Sequence, residues 1–204
     1  MEIKASIVKS LREKTSAGIM DCKKALKETN GDINKAIDYL RKKGLAAAAK
    51  KTGRISKEGI IEAYIHPGGK LGVLLEVNCE TDFVAKAADF VEFVKNIAMH
   101  IAASNPLYLK REIIPEDVIE KERDIYKSQA LNSGKPEKII DRIVDGKMEK
   151  FFSEVCLLEQ PYVKEPEISV KELVDTLIAR MGENISIRRF SRYQLSENLD
   201  NEKA

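Results

Sequence analysis

The side chains best suited to covalent or metal chemistry in this 204-residue chain are few and scattered: Cys22, Cys79 and Cys156, with His66 and His100. A thiolate nucleophile needs a base beside it, and a zinc site needs Cys and His at short, regular spacings. No CxxC occurs, and neither histidine stands at ligand spacing from a cysteine. The spacing therefore predicts reduced, partly buried thiols and no metal site. Gly68-Gly69-Lys70 has the form of the end of a phosphate-binding loop, but the glycine needed five residues before Gly69 is replaced by Tyr64. GxSxG, HExxH and GxGxxG are absent. The expectation is a chain with no catalytic residue, no cofactor and no direct nucleotide binding.

One stretch is unusual in another way. Residues 76–86 read EVNCETDFVAK. Strand-like alternation stops at Cys79, and Thr81-Asp82-Phe83-Val84 follows at once. Thr81 or Asp82 is suited to cap a helix, its side-chain oxygen accepting a backbone N–H. Phe83 allows two readings. It lies seven residues before Phe90, and Asp82-Phe83-Val84 is echoed by Asp89-Phe90-Val91, so periodicity places it in the core. Alternatively, the first turn of a helix at a domain edge can present the ring to solvent as a wedge.

The elements that must carry this stretch are legible in outline. Ile3, Ile7 and Leu11 mark one helical face. Thr15 to Gly18 forms a break, and a second helix carries Met20, Cys22, Ala25 and Leu26. Asn30-Gly31 ends it, Asp32 caps a third helix with Ile33, Ala36, Ile37 and Leu40 inside, and Gly44 is read as its stop. LAAAAKKTGRISKE, residues 45–58, is a basic connector, either a solvated linker or a binding strip. Ile61, Ala63 and Ile65 alternate with Glu62, Tyr64 and His66. Pro67-Gly68-Gly69 turns the chain, and Val73, Leu75, Val77 and Cys79 alternate on the return.

A long helix is predicted from Asp82 to Asn105-Pro106, with Phe90, Val91, Val94, Ile97, Ala98 and Ile101 on one face. Two more, 116–131 and 136–159, are joined by the short NSGK link as an antiparallel helical hairpin. Ser169-Val-Lys-Glu172 opens another helix as a capping box, and Gly182 stops it. NISIRRFSRYQL is a last strand. Its Arg188, Arg189 and Arg192 beside Phe190 and Tyr193 suit either single-stranded nucleic acid or an edge strand shielded by charge. The fold class is α+β: a small N-terminal three-helix bundle (1–44), a linker (45–58), a core domain with a three-stranded antiparallel sheet and packed helices (59–195), and a polar tail (196–204).

Composition narrows the partners. Thirty-five basic residues nearly cancel thirty-three acidic ones, and a net charge of +2 exerts no strong global pull on nucleic acid or membrane. No apolar stretch approaches bilayer length, and MEIKASIVKSLREKT lacks a signal peptide's apolar centre, so a cytoplasmic protein is expected.

EVNCETDFVAK resembles the central signature of the elongation factor Ts family, guanine-nucleotide exchange factors for elongation factor Tu. LREKTSAGIMDCKKAL at 11–26 is similar to that family's N-terminal motif, GDINKAIDYL continues the match, and GENISIRRF near the C-terminus is also familial. Ser16 stands where the family usually has Gly, and Ile19 where Met is common. The length resembles the short form of the family, which lacks the second core subdomain and coiled-coil insertion of longer members.

The resemblance implies a ubiquitin-associated-like bundle that docks on the nucleotide-binding domain of elongation factor Tu through Arg12, Ile19, Met20 and Lys23. It implies that Thr81, Asp82, Phe83 and Val84 enter the partner near its magnesium site, Phe83 as wedge and Asp82 as the polar group beside it. Homodimerisation is left open. Two other functions compete on residues alone. One is a ribosome- or RNA-associated module using the basic linker and RRFSRY. The other is an enzyme built on Cys79, for which no convergent site is readable.

Overall fold

The computed structural model describes residues 3–15, 17–133 and 136–197. Ser16, the last two residues of the NSGK link and tail residues 198–204 lie outside the described residues. Among those described there are eight α-helices, a three-stranded antiparallel sheet and a two-stranded one. The chain divides into two compact units.

The first unit comprises Met1–Ile60, Val77–Glu92 and Glu172–Ser186. It opens with α1 (Ala5–Thr15), α2 (Ile19–Glu28) and α3 (Ile33–Ala49). Apolar residues at helical spacing build their shared core: Val8 and Leu11, then Cys22, Ala25 and Leu26, then Ala36. Local chemistry sets the ends. Gly18 is the N-cap of α2. Asp32 caps α3, its carboxylate accepting the Lys35 N–H at 3.0 Å.

Gly44 does not end α3, contrary to the sequence expectation. The helix runs on to Ala49, inside the stretch read as a connector. A Cβ at Gly44 would lie 3.4 Å from the Ala179 Cβ, an ordinary contact distance, so α3 runs beside α8 (Val170–Met181) here. Arg41 also pairs with Glu172.

The sheet has the order β1 (Glu58–Ile65), β2 (Leu71–Cys79), β5 (Ser186–Gln194). Val73, Leu75, Val77 and Cys79 are buried as the alternation predicts. At Gly59, φ is +149° and a Cβ would stand 2.2 Å from the Val77 carbonyl oxygen, so only glycine lets β1 approach β2 there. Along β1 the apolar set faces outward: Ile61 and Ile65 are 64% and 63% exposed, while Glu62 and Tyr64 are half-buried.

The predicted helix starting at Asp82 is two helices, α4 (Asp82–Ala85) and α5 (Ala88–Ser104). Ala87 N–H bonds back three residues, to the Val84 carbonyl, so the α-helical ladder is interrupted before α5 begins.

The second unit comprises Ile61–Glu76, Phe93–Lys171 and Ile187–Ala204. Helices α6 (Glu116–Asn132) and α7 (Glu137–Val155) form the expected hairpin around Ala130, Ile140, Val144 and Met148. At its base the Arg111 guanidinium pairs with Glu149 and Glu159 and lies over the Phe152 ring, 4.4 Å from its centre. A short hairpin, β3 (Pro161–Tyr162) and β4 (Glu165–Ser169), follows a single 3-10 turn. It was not expected from the sequence.

His100, fully buried in α5, ties these pieces together. The Val163 N–H donates to Nδ1 at 3.2 Å, so Nε2 carries the proton and donates to Gln160 Oε1 at 3.0 Å. The Gln160 amide in turn donates to the carbonyls of Ser104 and Glu154. Burial depresses the His100 pKa from its ordinary 6.5. Below that value the unfolded chain binds a proton the folded chain resists, so this contribution to stability is present above pH 6.5 and lost as pH falls through it. His100→Leu should remove that slope, measured by urea unfolding between pH 7.5 and 5.5. It should also cost about 1–3 kcal/mol at pH 7.5, because Gln160 and Val163 lose a buried partner.

Candidate functional site

Strand β2 ends at Cys79, and Glu80 leads into the turn. Thr81 is extended and caps α4, its hydroxyl oxygen accepting the Val84 N–H at 3.5 Å. From there the four residues diverge. Val84 is buried with Ala85, and Thr81 is half-buried. Asp82 is exposed and pairs with Lys86 at 2.7 Å, a hydrogen bond that lowers its pKa. Phe83 is 83% exposed. The core reading of Phe83 from periodicity therefore does not hold. Phe90 is fully buried, and the break between α4 and α5 means that the two rings share no helical phase.

The turn is tied to the loop that follows α8. The Glu183 carboxylate accepts the N–H groups of Glu80 and Thr81, at 3.2 and 3.0 Å, and the Thr81 hydroxyl proton at 2.6 Å. Glu80 accepts the Asn184 N–H at 2.6 Å and pairs with Arg54 at 2.8 Å. Sequence reading assigned these two glutamates no role. Each lies inside a stretch that carries the family resemblance, Glu80 in EVNCETDFVAK and Glu183 in GENISIRRF.

The Cys79 thiol is buried, donates to the Thr81 carbonyl at 3.2 Å, and has its pKa pushed up to about 11 by burial and then by Glu183. It is thus a poor nucleophile at neutral pH. Among the described residues no group of three His, Cys, Asp or Glu side chains is placed to hold a metal ion, and no helix is long and apolar enough to cross a membrane.

The residues singled out on the bundle also converge. Arg12, Ile19 and Lys23 line a groove of about 320 Å³, with Ile3, Ala5, Val8 and Lys9. Its floor is apolar and its rim carries three cations. Ile19 is 54% exposed and the neighbouring Met20 is 74% exposed, a pair of large apolar side chains at the start of α2. Bundle and turn belong to the same compact unit.

In the C-terminal basic strand, Arg189 and Arg192 are engaged by their own chain. Arg189 pairs with Glu76 at 2.6 Å, Arg192 donates to Gln194 at 2.7 Å, and β5 lies at a sheet edge. That arrangement favours charge shielding of the edge over a nucleic-acid track.

The family model for Elongation factor TS matches residues 2–197. The chain is 60% identical over 197 residues to elongation factor Ts of Carboxydothermus hydrogenoformans, covering 97% of this chain and 91% of that one. It is 61% identical over 198 residues to the protein of that name from a Thermoanaerobacter species, covering 97% of each. It is 61% identical over 200 residues to that of Syntrophomonas wolfei, covering 98% of this chain and 94% of that one. A family model that takes in both the exposed-ring turn and the bundle groove, and identity of this degree along almost the whole length, mean that the chain belongs to the elongation factor Ts family and is a translation elongation factor.

Proposed function

We propose that this chain is a guanine-nucleotide exchange factor of the cytoplasm that binds elongation factor Tu and promotes GDP release by disturbing its magnesium and phosphate site, with no catalytic chemistry of its own. One observation carries the reading. Of six phenylalanines, the other five are buried or half-buried, and Phe83 alone is presented to solvent, on a turn tethered from behind. An exposed ring on a tethered support is what a wedge requires. In this reading residues 1–44 are the docking domain, with Arg12, Ile19, Met20 and Lys23 on the partner. Thr81, Asp82 and Phe83 meet its metal site, and Val84 anchors the turn from inside.

The energetics assign separate tasks to the two regions. Mg²⁺ demands near-ideal octahedral coordination, so small displacements of its ligands are costly. Exchange is reciprocal: a factor that weakens nucleotide binding is itself bound more weakly by the same factor when nucleotide is present. A thousandfold coupling corresponds to about 4 kcal/mol. Burying one Phe contributes about 1.5–3 kcal/mol. The ring alone cannot both hold the complex and distort the site, so the bundle groove supplies docking energy while the turn is driven into place. The deciding experiment loads elongation factor Tu with a fluorescent GDP, adds this chain and excess unlabelled nucleotide, and follows release. An unchanged release rate rejects the reading.

A second copy of the chain is proposed for the outward apolar face of the sheet. A Cβ at Gly72 would meet Ile65 Cδ1 at 3.0 Å, which puts the exposed Leu74 on the same side as Ile61 and Ile65. Contiguous exposed apolar surface of this kind marks interfaces. Sedimentation should show a dimer that Ile65→Lys dissociates; a monomeric wild-type chain rejects the pairing.

A further inference from the structure

We propose that Glu183, together with Glu80, is a positioning residue for exchange, holding the Phe83 turn in its working pose. The proposal rests on the exchange reading above. Helix α4 is four residues long. A helix that short cannot hold its own geometry, because its nucleation cost is not recovered. Phe83, being exposed, adds no packing of its own. Val84 and Ala85 anchor the inner side of the turn, and the N-terminal end beside the ring is held by hydrogen bonds from outside it.

Glu183 supplies that grip. One carboxylate takes three donors from two consecutive residues, the N–H groups of Glu80 and Thr81 and the Thr81 hydroxyl, at 3.2, 3.0 and 2.6 Å. Hydrogen bonds to an ionised acceptor are the stronger kind. Because the hydroxyl proton is committed to Glu183, the Thr81 oxygen is left facing the Val84 N–H as the cap of α4.

The restraint is closed from the other side. Glu80 accepts the N–H of buried Asn184 and pairs with Arg54, and the Asn184 amide donates to the Arg54 carbonyl at 2.7 Å. Each carboxylate thus satisfies the backbone next to the other. Gly182, at φ +74°, lets the chain leave α8 and turn Glu183 toward the strand end. A wedge pressed into a site that resists deformation is pushed back, and it transmits force only through a support that does not yield.

The test is Glu183→Gln. The amide oxygen can still accept the two N–H groups, but its NH2 confronts the Thr81 hydroxyl as a second donor, so the hydroxyl can no longer give its proton while serving as cap. With fluorescent-GDP-loaded elongation factor Tu, the maximal release rate should fall about tenfold. The factor concentration giving half-maximal effect should stay within about twofold, since the bundle groove is untouched. Amide hydrogen exchange at 82–85 should accelerate. A residue that merely stabilised the fold would lower the melting temperature and leave the maximal rate of the folded protein unchanged. If Glu183→Gln does not fold, Glu80→Gln, which opens the opposite side of the cycle, carries the same expectation. A wild-type maximal rate in a folded variant, with Phe83→Ala slow in the same assay, overturns the proposal and leaves the exchange reading standing. No acceleration by the wild-type chain overturns both.

Discussion

Phe83→Ala should slow maximal nucleotide release from elongation factor Tu by roughly 10–100-fold and leave the unfolding free energy within about 0.5 kcal/mol of wild type. The two halves of that result come from one observation, the 83% exposure of the ring. A ring in water contributes little packing, whereas a buried Phe→Ala change costs about 3–5 kcal/mol. Phe90, seven residues on and fully buried, is the internal control and should show that larger loss. The size of the kinetic effect follows from the burial of one ring, about 1.5–3 kcal/mol, realised only once the partner's site has opened. An interaction made only in that state appears in the maximal rate and leaves the half-saturating concentration alone. Stopped-flow release at saturating factor, with urea unfolding of the same preparation, measures both. A core-like loss of stability would return Phe83 to the interior, and an unchanged maximal rate would remove it from the mechanism.

Why the sequence left Phe83 ambiguous is instructive. Its spacing from Phe90 and the repeated Asp-Phe-Val suit one continuous helix, and nothing local to residues 82–90 contradicts this. The turn's hydrogen-bond partner is Glu183, about a hundred residues away along the chain, and periodicity has no access to so remote a contact. Elsewhere local chemistry was enough. Asp32 caps α3, Gly182 follows the end of α8 and β2 buries its alternate residues because caps, glycine geometry and period-two patterning act within a few residues.

Three other features needed tertiary information. Gly44 has the type of a helix stop, but α3 continues through it to Ala49 and runs beside Ala179. On β1 the alternation was visible, yet a period of two does not say which set faces inward, and here Ile61 and Ile65 face out. The β3–β4 hairpin is short, charged and rich in proline, so it carries no alternation to read. The bundle residues Arg12, Ile19, Met20 and Lys23 came from the family resemblance, whereas the spacing alone set Met20, here 74% exposed, with Cys22, Ala25 and Leu26. Arg12, Ile19 and Lys23 line the groove because the second helix begins with its large apolar residues ahead of the core positions Cys22, Ala25 and Leu26.

That offset leads to the other large effect expected. Replacing Ile19 and Met20 together by alanine should weaken the complex with elongation factor Tu by roughly 100-fold while the maximal release rate at saturation stays near wild type. Neither side chain belongs to the bundle core, which is closed by Cys22, Ala25 and Leu26 from the same helix, so the variant should fold. Covering a large apolar side chain contributes about 1.5–3 kcal/mol, and two half-covered ones together reach the 2.7 kcal/mol that a hundredfold change in affinity represents. The cations at the rim, Lys9, Arg12 and Lys23, act differently. Exposed charges steer encounter and are screened by salt, so their neutralisation should slow association and flatten its ionic-strength dependence more than it hastens dissociation. Docking and wedging are then separable. The Ile19 and Met20 double variant needs more factor to reach the same rate, whereas Phe83→Ala reaches a lower rate however much is added. If the groove variant instead lowered the plateau and left the half-saturating concentration unchanged, the bundle would be acting on the nucleotide site itself, and the division of labour between the two surfaces would have to be abandoned.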